Sequence, residues 1–163
     1  MALIITLKAI VDEMDVLTDE HFAYLNPQTG DLVTLSTEEI SAVEEDLPID
    51  DFPEWQQPLI TQARAVLDSD AYLRLPTRYD IHEYAIMERF CDALADQQMR
   101  QIFLDQIRGS GAFRRFKHLL HRYAIAEEWY QFRTAELEAI AMQWLDANHI
   151  PYQQNTINNR STR

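Results

Sequence analysis

The chain has 163 residues with 27 acidic and 14 basic side chains, which gives a formal net charge of −13. A hydrophobic fraction of 47% and a charged fraction of 25% are typical of a globular domain and exclude a disordered chain. The single cysteine, Cys91, excludes a disulfide scaffold and a cysteine-based zinc cluster. The first residues lack the pattern of a signal peptide, and no apolar run approaches the ~20 residues of a membrane span. We therefore expect a soluble, cytoplasmic protein that does not bind membranes.

The first 45 residues predict a helix, a β-hairpin and a second helix. Residues 3–16 carry apolar side chains at helical spacing, namely Leu7, Ile10, Val11 and Met14. The β-favouring runs HFAYL and DLVTL are separated by NPQTG, in which proline comes early and glycine late, as in a hairpin turn. Ser36 or Thr37 together with Glu39 predicts the capped start of a short helix that ends near Glu45.

An acidic segment with two prolines follows at residues 44–54, EEDLPIDDFPE. Its composition favours a solvated connector. The alternative is an acidic face that docks on a basic surface.

From Trp55 onward the pattern is almost wholly helical, starting with a helix over residues 55–68 and a short extended piece, YLRLP, at 72–76. Asp80 with Glu83 resembles a capping box and predicts one helix over IHEYAIMERFCDAL. Asp96 predicts the N-cap of the next helix, which residues 109–111, Gly-Ser-Gly, interrupt.

Two further helices are predicted over about 112–122 and 127–147. Asn148 is the expected stop of the last helix, HIPYQ the expected short strand after it, and residues 151–163 a polar tail.

The segment GSGAFRRFKHLLHR has the sharpest amphipathic pattern in the chain. At about 100° per residue, the bases and histidines fall within an arc of roughly 160° around Arg114. Phe113, Phe116, Leu119, Leu120 and Tyr123 fall on the opposite side. A Gly-x-Gly loop that leads into a helix start with arginines in its first turn indicates an anion site. The predicted binding residues are Gly109, Ser110, Gly111, Arg114, Arg115, Lys117, His118 and Arg122.

The charge is distributed unevenly along the chain. Residues 1–71 carry 16 acidic and 2 basic side chains, and residues 72–163 carry 11 acidic and 12 basic ones. The arginines of the amphipathic helix therefore have two interpretations: they recognise an external anion, or they pair internally with the acidic half.

The other chemistry-bearing residues give weaker signals. His118 and His121 are three residues apart, but neighbouring arginines would repel a metal dication, so we expect no metal and no cofactor. Cys91 is expected to be a buried, inert thiol. A second group could form a catalytic pocket beside the arginines: Tyr79, His82, Glu83, Glu88 and Arg89.

Three motifs, LPTRYDIHEYAIMERF, RGSGAFRRFKHLLHR and EEWYQFR, resemble the UPF0158 family of bacterial proteins, and the resemblance covers most of the chain. It implies a cytoplasmic bacterial protein without an established activity, so it supplies no catalytic residues. Within the three motifs it points to Tyr79, His82, Glu83, Tyr84, Glu88, Arg89, Phe90, Gly109, Gly111, Arg114, Arg115, Phe116, Trp129, Tyr130 and Arg133.

We thus predict an α+β protein that is mostly a helical bundle, with a small N-terminal β-hairpin unit. The expected divisions are a helix and hairpin unit with its acidic linker (1–54), a helical domain (55–150) and the tail (151–163). The leading hypothesis is a non-enzymatic binding or regulatory protein with an anion-recognising basic helix. Its favoured partner is an acidic protein segment, from the same chain or another. The alternatives are an enzyme that uses Tyr79, His82 and Glu83, and a nucleic-acid-binding protein.

Overall fold

The computed structural model describes residues 5–154, which fold into helices and one small antiparallel sheet. The mostly helical α+β class predicted from the sequence is confirmed. The elements follow in this order: α1 (Leu7–Asp15), β1 (His21–Leu25), β2 (Leu32–Ser36), α2 (Thr37–Glu44), α3 (Gln57–Leu67), β3 (Leu73–Arg74), α4 (Arg78–Ile81), α5 (Glu83–Asp92), α6 (Gln97–Gln106), α7 (Ala112–Arg122) and α8 (Ala126–Ala147). The predicted tail lies outside the described residues from position 155 onward.

The chain divides into two compact units. We call Met1–Asp80 with Ile140–Arg163 the sheet unit, and Ile81–Ala139 the helical unit. The domain limits expected from composition, 1–54, 55–150 and 151–163, stay a prediction.

The sheet of the sheet unit has the strand order β2-β1-β3. The predicted hairpin forms as expected, with Leu25 opposite Leu32. In its loop the Asn26 side chain accepts hydrogen bonds from the backbone N–H groups of Gln28 and Thr29. The extended piece YLRLP supplies β3, which pairs with the other edge of β1. Helix α3 covers this sheet, in a cluster formed by Tyr24, Val33, Leu35, Ala63 and Val66.

Side-chain caps begin α1 and α2, and the cap of α2 is at the predicted Ser36. The hydroxyl of Thr6 accepts a hydrogen bond from the N–H of Ala9. Ser36 accepts one from the N–H of Glu39, and its own hydroxyl donates to the Glu39 carboxylate, so the pair forms one backbone bond of a capping box together with a side-chain bond. The strand expected in HIPYQ is reduced to one parallel bridge between Thr6 and Gln153.

The helix predicted to open at Asp80 is interrupted, so that expectation is wrong in detail. The capping box is formed by Thr77 and Asp80, each of which accepts from the other's backbone N–H. It opens only the short α4, because His82 then takes a left-handed conformation with φ of 58°. A non-glycine residue in that conformation ends the helical hydrogen-bond ladder, and α5 starts anew at Glu83.

The helical unit is held by an aromatic cluster to which each of its helices contributes at least one ring. Four of these rings are those of Phe90 in α5, Phe103 in α6, Phe116 in α7 and Trp129 in α8. Phe116 makes edge-to-face contacts with the other three, with centroid distances of 4.8 to 6.1 Å. Such pairs stabilise by about 0.5–1.5 kcal/mol each beyond the burial of their area. They fix α7 by its apolar face and leave the opposite face in solvent.

Candidate functional site: a basic groove between α6 and α7

Helix α7 starts where the sequence predicts, after a loop that needs both of its glycines. Gly109 and Gly111 have φ values of 74° and 81°, in the left-handed region that glycine enters without penalty. Gly111 is also the N-cap of α7, and a Cβ atom there would lie 3.0 Å from Nη1 of Arg115. Nothing lies within 4 Å of a Cβ built at Gly109.

The apolar face of α7 is buried through Ala112, Phe116, Leu119 and Leu120. Phe113, expected on this face, is instead 38% exposed and touches Tyr84 edge to face. It therefore marks the border of the apolar face. The opposite face exposes Arg114, Lys117, His118, His121 and Arg122.

Arg115 binds backbone carbonyl groups of its own unit. Its Nε donates to the carbonyl oxygen of Gln106 at 2.7 Å, Nη2 to that of Arg108 at 2.6 Å, and Nη1 to that of Ser110 at 2.8 Å. These carbonyls belong to the last turn of α6 and to the glycine loop, where a helix leaves its acceptors unsatisfied. Arg115 therefore joins the end of α6 to the start of α7, and three of its N–H donors are already engaged.

The two helices enclose a groove of about 400 Å³. It is lined by Ile102 and Gln106 of α6 and by Arg114, Arg115, His118, Leu119 and Arg122 of α7. Arg114, His118 and Arg122 follow one another at four-residue intervals, so they form a single stripe along the helix. We call these three residues the basic stripe. Ile102 and Leu119 give the same groove an apolar lining.

The arginines of the basic stripe form no ion pair with any carboxylate among residues 81–139. Arg114 and Lys117 are like charges three residues apart on the same helix and repel each other, and Arg114 lies in the first turn, where the helix dipole disfavours a cation. Both effects are small costs that a bound anion would remove. Lys117 is exposed on α7 outside the groove lining and adds to the positive potential.

The residues of the predicted catalytic pocket have different partners and surroundings. Glu83 accepts hydrogen bonds from Nε and Nη2 of Arg133, so its carboxylate binds α8. Arg89 forms a two-point ion pair with Glu136, at 3.2 and 3.0 Å. Glu88 and His82 are exposed. Tyr79, which is 68% exposed, belongs to the sheet unit.

Two further candidates for chemistry are a metal site and the thiol of Cys91. No group of three or more His, Cys, Asp or Glu side chains within residues 5–154 could hold a metal ion. The side chain of Cys91 is buried, and that burial, with smaller contributions from Asp92 and Glu88, raises the pKa of its thiol to about 12. Because the thiolate is the nucleophile, this cysteine is unreactive at neutral pH.

The sheet unit has a second cavity, of about 380 Å³, that the sequence did not reveal. It is lined by Arg74, Leu75, Pro76, Asp80, Ile140, Gln143, Trp144 and Ala147. The guanidinium of Arg74 lies 5.7 Å from the centre of the Phe22 ring, and Asp80 uses one carboxylate oxygen in the cap of α4. Two residues at its rim, Arg74 and Asp80, thus already have partners within the sheet unit.

Fold and groove together define a mostly helical α+β protein that carries an exposed basic groove. The family model described as uncharacterised protein family UPF0158 matches residues 1–158, and the chain belongs to that family. The searches of curated proteins and of solved structures gave no match. No helix formed by residues 5–154 has the length and apolarity required to span a membrane.

Proposed function

We propose that this chain is a non-enzymatic binding or regulatory protein that recognises an acidic protein segment through the α6–α7 groove. The observation that carries the proposal is the basic stripe: Arg114, His118 and Arg122 border one groove, and its arginines have no carboxylate partner within the helical unit. Guanidinium groups bind carboxylates in a planar, two-point geometry, which favours a carboxylate-bearing ligand.

The lining of the groove favours a peptide over a bare anion. Ile102 and Leu119 offer apolar surface beside the charges, which a peptide can cover with side chains of its own. A nucleic-acid backbone would also meet a chain of net charge −13, whose overall field repels phosphate.

The residues of the site have three roles under this proposal. Arg114 and Arg122 bind carboxylates, and His118 between them supplies a further polar contact. Gly109, Ser110 and Gly111 set the turn that Arg115 holds closed through its bonds to the backbone. Lys117 attracts acidic ligands without lining the groove.

The test is an NMR titration of the ¹⁵N-labelled protein with an oligoglutamate peptide. Resonances of α6 and α7 should shift for the wild type. R114Q/R122Q should weaken binding about tenfold or more, which corresponds to ~1.4 kcal/mol. The control variant R100Q/R108Q removes the same amount of charge from the helical unit but none of the groove lining, and it should bind within about threefold of the wild type.

Equal weakening in both double variants would contradict the proposal, because binding would then follow net charge and not the groove. A parallel pull-down from native lysate compares the wild type with R114Q/R122Q. Capture that nuclease treatment abolishes, and that falls steeply with salt, would replace the protein segment with nucleic acid.

A further inference from the structure

A complementary surface for the groove is present on the same chain. Residues 44–55, which we call the acidic segment, contain no basic residue. All of these residues are exposed except the half-buried Phe52. Among the described residues, nine large hydrophobic side chains are exposed, and four of them lie in or next to this segment: Leu47, Ile49, Trp55 and Leu59.

Exposed apolar side chains concentrated in one stretch of chain are typical of a binding surface. Trp55 is 71% exposed, although tryptophan is on average well buried in folded proteins. The acidic segment therefore combines carboxylates with apolar side chains, which is the chemistry that the groove complements with its arginines and its apolar lining.

The spacing of the charges is compatible with pairing. Arg114 and Arg122 are eight residues apart, which is ~12 Å of helix rise. Asp50 and Glu54 are four residues apart, which is at most ~14 Å in a fully extended chain. Ile49–Asp51 form a 3₁₀ turn, which shortens that span, and the long arginine side chains can reach across the difference.

We propose that the acidic segment of one copy of this chain docks in the α6–α7 groove of a second copy. The inference rests on the proposed function and names its partner. Asp50 and Glu54 of one copy pair with Arg114 and Arg122 of the other, and apolar side chains of the segment cover Ile102 and Leu119. Because the two surfaces differ, each copy offers one of each, and a pair that exchanges both closes into a dimer.

The test is a pair of charge-reversed variants analysed by sedimentation velocity. R114E/R122E has an acidic groove and D50K/D51K/E54K has a basic segment, so each variant alone meets like charges and should stay at the 19.1-kDa chain mass. An equimolar mixture restores opposite charges in both directions and should sediment at roughly twice that mass. The wild type should dimerise at low salt and dissociate as salt rises, because screening weakens exposed ion pairs.

A wild type that stays monomeric at ~1 mM would overturn the inference, as would a mixture in which neither variant finds the other. Circular dichroism of each variant confirms that it is folded.

A second measurement uses a fluorescein-labelled peptide of residues 44–55. The peptide should bind the wild type and not R114Q/R122Q. If oligoglutamate binds the groove while this peptide and the second copy do not, only the present inference fails. If no acidic peptide binds, the proposed function fails with it.

Discussion

Arg115 donates a hydrogen bond of 2.6 Å from its Nη2 to the backbone carbonyl oxygen of Arg108. The neighbouring Arg114 points into the groove and forms no ion pair within its unit. Two consecutive arginines that look equivalent in sequence therefore have different roles, one within the loop and one toward a ligand. A double Arg114/Arg115 substitution would mix the two, so each must be changed alone.

Replacing Arg115 by alanine should destabilise the protein, whereas replacing Arg114 should not. R115A removes three charge-assisted hydrogen bonds at a partly exposed site, and we expect a loss of ~1–2 kcal/mol in the free energy of unfolding. R114A removes an exposed side chain and should change it by less than ~0.5 kcal/mol. Urea unfolding measures both values. Equal losses would show that Arg115 does not hold the loop.

Alanine at Gly111 should cost more stability than alanine at Gly109. Both positions have left-handed backbones, so each substitution loses ~1 kcal/mol from conformation alone. Only the new Cβ at position 111 also meets the Arg115 guanidinium, at 3.0 Å. Thermal unfolding of G111A and G109A compares them. In the background of R115A the two variants should become equal, and a persistent difference would point to another cause.

The two ion pairs between α5 and α8 should differ in strength. The side chains of Glu83 and Arg133 are 18% and 21% exposed, while those of Glu136 and Arg89 are 25% and 52% exposed. Double-mutant cycles with glutamine should give a coupling of ~1–2 kcal/mol for Glu83 with Arg133 and below ~1 kcal/mol for Arg89 with Glu136. The reverse order would mean that burial does not govern these pairs.

Ala124 should be replaceable by glycine with a gain in stability. It ends α7 in a left-handed conformation with φ of 56°, and the N–H of the following Ile125 bonds the carbonyl of Leu120 at 2.9 Å. Glycine is the preferred residue in this helix-ending motif, so A124G should stabilise by ~0.5–1 kcal/mol. The control A135G places glycine inside α8 and should destabilise by about 1 kcal/mol. Calorimetry measures whether each substitution raises or lowers the free energy of unfolding.

Cys91 should resist thiol reagents until the chain unfolds. Burial raises the pKa of its thiol from 9.0 to about 12, so the folded protein binds this proton more tightly than the unfolded chain does. The contribution to stability is complete below pH 9 and is lost as pH rises toward 12. A disulfide reagent at pH 8 should label the protein only in denaturant. Rapid labelling of the native state would show that the thiol is accessible.

Local sequence signals predicted much of the helical unit, including α7 with both of its bounds. Its start is marked by a glycine loop and its faces by a clear amphipathic pattern, and both signals act over a few residues. The break at His82 was missed, because a left-handed non-glycine residue leaves no mark in composition. The sequence pattern therefore points to a capping box of Asp80 with Glu83, whereas the structure forms it from Thr77 and Asp80.

Contacts between residues far apart in the chain could not be predicted, because the sequence signals act over only a few residues. The pairing of β3 with β1 joins residues about 50 positions apart, and nothing near YLRLP specifies its partner. The roles of Arg114 and Arg115 likewise depend on which carbonyl groups α6 leaves within reach. Sequence identified the basic helix as the candidate site, while the groove beside it required the packing of α6 on α7.

The bridge between Thr6 and Gln153 has a further consequence for the backbone as a whole. Leu7 donates to the carbonyl of Gln153 and Gln153 donates to that of Ile5, at 2.8 and 2.9 Å, so the two ends of the described chain lie side by side. A short covalent linker between Ile5 and Gln154 would close residues 5–154 into a ring. Circularisation would remove entropy from the unfolded ensemble alone, and it would leave the acidic segment and the groove equally free to meet in a second molecule.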